Sequence, residues 1–65
     1  MQFEVVESVG VDMHTRVLVA YVDQGAGFYE FSIEKGGQVV EFSNAQYGNS
    51  IAALRDGLSA WLGDR

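Results

Sequence analysis

Gly36-Gly37 is the feature that most constrains how this chain can fold. Both central positions of a type I′ hairpin turn take positive φ, which glycine adopts freely and other residues only with strain. The flanking segments are β-prone, so Phe28 to Ser43 reads as one hairpin closed at that turn. Folded there, Ile33 lies opposite Val40 and Phe31 opposite Phe42, all on one face. The other face carries Glu30, Ser32 and Glu34 on one strand, and Val39, Glu41 and Ser43 on the next. A slip of one residue would turn every side chain over, so the apolar pattern selects the register. The expectation is a sheet with an apolar inner face and an acidic outer one.

The rest of the chain supplies partners for that hairpin. Gln2 to Val9 reads as a first strand, in which Val5-Val6 breaks the alternation of Phe3 and Val5 with Gln2 and Glu4. Thr15 to Asp23 is rich in valine and apolar on both faces, as befits a central strand. Gly10 to His14 and Asp23 to Gly27 read as connections. Beyond the hairpin the period changes. Ile51, Leu54, Leu58 and Trp61-Leu62 recur at three- and four-residue spacing, the stripe of one amphipathic helix. Asn49 or Ser50 would cap its start and Gly63 its end. Gly57, inside that helix, costs about 1 kcal/mol relative to alanine and would allow close approach to a sheet.

These elements predict an α+β fold: a four-stranded antiparallel β-sheet with one C-terminal α-helix packed on one face, ββββα. Residues 1–65 form a single domain. The expected core beneath the helix is Phe3, Val19, Tyr21, Tyr29, Phe31, Ile33, Val40 and Phe42. One helix covers only one face of a sheet, so the other must meet water or another molecule. Phe28, Val39 and Val6, with some of Leu18, Ala20 and Val22, are expected on that outer face among the carboxylates.

A chain of 65 residues buries only about 60% of the surface its unfolded form exposes, and with no cysteine it has no disulfide to staple it. Its longest apolar run, Val17 to Val22, falls far short of the ~20 residues of a membrane span. Met1-Gln2-Phe3-Glu4 is strand-like and acidic, unlike the basic and apolar opening of an export signal. A soluble, cytoplasmic protein without a membrane partner is the expectation. Nine acidic residues against four basic ones give a net charge of −5, which repels phosphate backbones and argues against direct nucleic-acid binding. The cations Arg16, Lys35, Arg55 and Arg65 are scattered, and Asp56 and Asp64 leave the helix without a basic face.

Few residues point to chemistry. Asp12 and His14 together are too few ligands for a metal site, and His14 has no nucleophile or orienting carboxylate at a recognisable spacing. Gly25-Ala26-Gly27 lacks the further glycine, lysine and helix of a phosphate loop. Glu30 and Glu41 are expected on a flat, exposed sheet with no pocket to shift their pKa values. The chain therefore reads as a non-enzyme without cofactor or metal. The candidate partner-binding residues are Glu4, Phe28, Glu30, Glu34, Val39 and Glu41. Carboxylates repeating along strands approach the spacing of phosphates on a nucleic-acid strand.

The β-rich start followed by Ala52-Ala53-Leu54-Arg55-Asp56-Gly57-Leu58 resembles the partial RNase-like fold of the HicB antitoxins, although their proline-containing strand-to-loop pattern is missing. The order ββββα is similar to a single-stranded-DNA-binding transcriptional coactivator fold, without the basic residues that fold uses. In size and acidity the chain is similar to phage-encoded anti-CRISPR and anti-restriction inhibitors, a likeness of class carried by no particular residue. The resulting expectation is a small acidic protein-binding module, an inhibitor or adaptor that blocks a partner's basic, nucleic-acid-binding surface in the manner of a DNA mimic. The alternative is a self-associating, antitoxin-like domain that forms a homodimer.

Overall fold

The computed structural model describes residues 2–43 and 45–63; Met1, Asp64 and Arg65, read above, lie outside them. Four strands, β1 (Gln2–Gly10), β2 (Thr15–Asp23), β3 (Gly27–Lys35) and β4 (Gln38–Phe42), form an antiparallel meander in the order β1-β2-β3-β4. The helix α1 (Ser50–Gly63) packs on one face, against β2 and β3. This is the expected ββββα fold.

The Gly36-Gly37 turn is the one expected. Both glycines have positive φ, 61° and 85°, and Lys35 pairs with Gln38 and Glu34 with Val39. One step further the register departs from expectation. Ile33 pairs with Glu41 rather than Val40, and Ser32 with Phe42. Val40 is the extra residue of a β-bulge, and every side chain beyond it is turned over. The shifted register is anchored downstream. The Ser43 amide donates to the Phe31 carbonyl at 2.9 Å, and the Ser43 hydroxyl accepts from the Phe31 amide at 3.1 Å. Tyr47 then exchanges two backbone bonds of 2.9 Å with Tyr29, carrying the ladder on past the end of β4. Val40 and Phe42 are consequently exposed and outside the core.

A second bulge lies between Val5 and Glu7, where the alternation of β1 breaks in the sequence. Phe3 pairs with Val22, and Val5 with Ala20. Phe3 thus joins the face opposite the helix instead of the core.

The core is small and sits between α1 and the two central strands. Val17, Val19 and Ala53 are fully buried, with Phe31 and Ile33 nearly so. The helix reaches them through its smallest residues. A Cβ on Gly57 would stand 2.7 Å from the Val17 Cγ1 and 3.1 Å from the Phe31 Cγ, so only hydrogen fits there. Leu54, Leu58, Ala60 and Trp61 flank this contact and pack on the core, whereas Ile51 and Leu62 from the expected stripe face outward. The helix therefore approaches the sheet more closely than a leucine-faced helix could. Asn49 is the N-cap, its Oδ1 accepting the Ala52 amide at 2.8 Å. Gly63 is the last helical residue, and positive φ among the described residues is confined to Gly25, Gly36 and Gly37, so the expected left-handed cap is not formed at Gly63.

Candidate protein-docking face

Strand parity sorts the side chains. In β2 and β3 the residues paired on the helix side are Val17 with Ile33, Val19 with Phe31, and Tyr21 with Tyr29. The alternate pairs, Arg16 with Glu34, Leu18 with Ser32, Ala20 with Glu30, and Val22 with Phe28, face away from the helix. Phe3 and Val5 extend that open face across β1, and Val39 and Phe42 across β4.

The open face is dominated by apolar groups. Phe3 is 61% exposed and Phe42 65%, with Val5 and Val39 close to half exposed. Ala20 and Val22 are buried although no layer covers them, because cross-strand neighbours enclose them: Phe3 and Phe28 on either side of Val22, Val5 and Glu30 on either side of Ala20. Between the aromatic side chains lies a shallow hollow of about 210 Å³, lined by Phe3, Leu18, Ala20, Glu30, Val39 and Phe42 among others.

Four of the six candidate residues lie on this face, Phe28, Glu30, Glu34 and Val39. The other two do not. Glu41 pairs with Ile33 and Glu4 with Tyr21, which puts both on the helix side. The bulge at Val40 moves Glu41, and the β1–β2 register moves Glu4. The expected row of carboxylates on one face is thus divided between two. Phe3 and Phe42, expected in the core beneath the helix, lie uncovered on the open face. The broken alternation at Val5-Val6 and the serine just after β4 were the available signals for both displacements.

Among the described strand residues, Arg16 is the cation of the open face. Its Nε donates to the Ser8 hydroxyl at 2.8 Å, and it stands across from Glu34 in the strand register. Glu30 sits half-buried beside the hollow, and among the described residues neither the Glu30 nor the Glu34 carboxylate has a hydrogen bond or ion pair. The one ion pair between described side chains is Arg55 with Asp56 at 3.7 Å, on the helix.

The helix side has its own features. A groove of about 500 Å³ runs between Trp61 and the hairpin end, lined by Asp12, Thr15, Ile33, Lys35, Val40 and Glu41. Asp12 closes a turn by accepting the His14 amide at 2.9 Å. That bond, helped by the Thr15 hydroxyl, holds the Asp12 carboxyl below its ordinary value of 3.8. The Asp12 and His14 pair is therefore accounted for as turn chemistry, and no group of three or more His, Cys, Asp or Glu that could hold a metal occurs among the described residues. The Tyr47 hydroxyl donates to the Asp56 Oδ2 at 2.9 Å, tying the segment after β4 to the helix. Burial, and then the Asp56 carboxylate, raise the Tyr47 phenol above its ordinary value of 10.0.

No helix among the described residues is long and apolar enough to cross a membrane. The chain matches no protein family, and no curated protein or solved structure is significantly similar to it.

Proposed function

We propose that this chain is a small non-catalytic protein-binding module that docks through the open face of its sheet. The observation that carries the reading is the exposed apolar surface of Phe3, Val5, Val39 and Phe42 on a face where, among the described strand residues, the charged side chains are Arg16, Glu30 and Glu34. Contiguous apolar surface of this kind marks an interaction site, and interface centres are depleted in charge. The apolar side chains supply the affinity, and the acidic groups around them raise the association rate and select the partner.

An inhibitor or adaptor that covers a cationic, nucleic-acid-binding surface is the finer version of this reading, and it is supported by the net charge of −5. It draws on charge at the rim of the docking face and not on a row of phosphate-like carboxylates, because Glu4 and Glu41 lie behind the sheet.

Affinity capture from the native host with three baits tests the proposal: the parent chain, Phe42→Glu and Glu41→Lys. Proteins retained by the parent and by Glu41→Lys but lost with Phe42→Glu are the expected result. Equal retention by the parent and Phe42→Glu would remove the open face from consideration. Among retained proteins, competition with added nucleic acid separates the inhibitor version from simple docking.

A further inference from the structure

We infer that the hollow on the open face is a pocket for one arginine side chain of a partner protein, held there by Glu30. The inference rests on the docking reading above and gives the partner a chemistry.

The hollow is sized for a side chain. Its volume of about 210 Å³ falls below the ~300–1,000 Å³ of a small-molecule pocket. Alternate residues of the two central strands line its floor, Leu18 and Ala20 in β2 with Ser32 and Glu30 in β3. Phe3 stands on the β1 side and Phe42 on the β4 side. The bulge at Val40 is what turns Phe42 to this wall.

The walls set two demands at once. Of the described side chains that line the hollow, all are apolar except Ser32 and Glu30. Glu30 is already half-buried, and its carboxylate has no hydrogen bond or ion pair among the described residues. A docking partner strips away its remaining water. An apolar group in the hollow would then leave a buried, unpaired carboxylate, which is strongly unfavourable. A short cation would pair with Glu30 and leave the apolar walls unfilled. A long cationic side chain meets both demands, its methylene stem on Leu18 and the aromatic rings and its charged head at Glu30. Arginine suits the site better than lysine. Its guanidinium is weakly hydrated and loses water at lower cost, its plane stacks on an aromatic ring, and its five donors can serve Ser32 as well as Glu30.

The chain's own arginine on this face is placed elsewhere. Arg16 stands across from Glu34, four residues along β3 from Glu30, and its Nε donates to the Ser8 hydroxyl at 2.8 Å. At about 3.4 Å per residue the two levels are about 14 Å apart. The net charge of −5 draws cationic surfaces toward the molecule. Glu30 is then an anchor at the centre of the contact, and Glu34, opposite Arg16, contributes to steering.

Selection from a random peptide library displayed on phage tests this, with the full chain and its Phe42→Glu variant as baits. The parent should enrich peptides that carry an arginine between apolar residues. Phe42→Glu, which changes a residue already largely exposed, should enrich none of them. An enriched peptide, synthesised, should bind the parent at least about tenfold more tightly than the same peptide with citrulline, the uncharged isostere, in place of its arginine. Glu30→Gln should bind the two peptides alike while keeping the parent's circular dichroism spectrum. Enriched peptides that lack arginine and are lost with Phe42→Glu would overturn the arginine pocket and leave the docking face standing. A preference for arginine over citrulline that persists in Glu30→Gln would overturn it as well, since the carboxylate would not be what reads the cation. Peptides enriched equally by the parent and Phe42→Glu, or no enrichment by the parent, would remove both the pocket and the docking face.

Discussion

Phe31 and Phe42 show how differently the two faces of this sheet are used. Phe31 lies under the helix, nearly buried, with the Gly57 backbone against its ring. Phe42 lies on the opposite face and is 65% exposed. The covered face is closed with small contacts, Ala53 and Gly57, which let the helix settle onto Val17 and Phe31. The open face keeps large aromatic side chains at its margins and a hollow between them. One face is finished by the chain itself, and the other is shaped as a surface for something else to finish. In a domain this small, that division leaves few residues to hold the fold, so substitutions on the two faces should differ sharply in effect.

The largest effect is expected for Phe31→Ala, which should cost about 3–5 kcal/mol. A total stability near the low end of the usual ~5–15 kcal/mol would leave much of the protein unfolded. Urea denaturation measures this, and a midpoint close to that of the parent would mean that the helix–sheet contact is not the core. Next comes Gly57→Val. Its side chain would begin 2.7 Å from the Val17 Cγ1, so relief requires the helix to lift. Overpacking of this kind costs about 1–3 kcal/mol. A variant as stable as the parent would show that the helix has room to move away.

The line between legible and illegible residues runs through β3 and β4. The hairpin, its turn and the inward placement of Phe31 and Ile33 follow from the paired glycines and the alternation of β3. Phe42 does not, because alternation was extended through a bulge that costs the chain one residue of register. What sets that bulge is non-local in the sequence. The Ser43 hydroxyl replaces a strand partner for the Phe31 amide, and Tyr47 continues the ladder. The helix is legible as a helix, yet its inner surface is not the one that the apolar stripe predicts. The apolar stripe includes Ile51 and Leu62, while the contact is made by Ala53 and Gly57, whose smallness carries little signal in an apolar periodicity. The candidate site was legible only in part: Phe28, Glu30, Glu34 and Val39 precede the bulge in β4 and Glu41 follows it, while Glu4 is placed by the pairing of β1 with β2.

Tyr47→Phe examines the anchor that holds the shifted register. Losing the hydrogen bond to Asp56 should cost about 1 kcal/mol at neutral pH. The Tyr47 phenol is raised in the folded state, by burial and then by Asp56, so its contribution is complete below pH 10.0, the ordinary phenol value. It is lost as pH rises above that value and through the folded one. The stability gap between parent and Tyr47→Phe should therefore close at alkaline pH. A gap that is constant from neutral to strongly alkaline solution would assign the cost to packing and not to the hydroxyl.

The smallest effect on folding is expected from Phe42→Ala, and it is the most discriminating. Surface substitutions away from packed features change stability by about 0.5 kcal/mol or less, although the same change at Phe31 should cost several times more. The comparison is made on the isolated chain at low concentration, since any partner that binds only the folded state would add its own stabilisation. Under those conditions the urea midpoints of parent and Phe42→Ala should nearly coincide. A large loss would place Phe42 in the fold's own core, restore the unbulged register of β4 and return Glu41 to the outer face. A small loss would keep the bulge and leave the aromatic ring on the open face, outside the fold's own core.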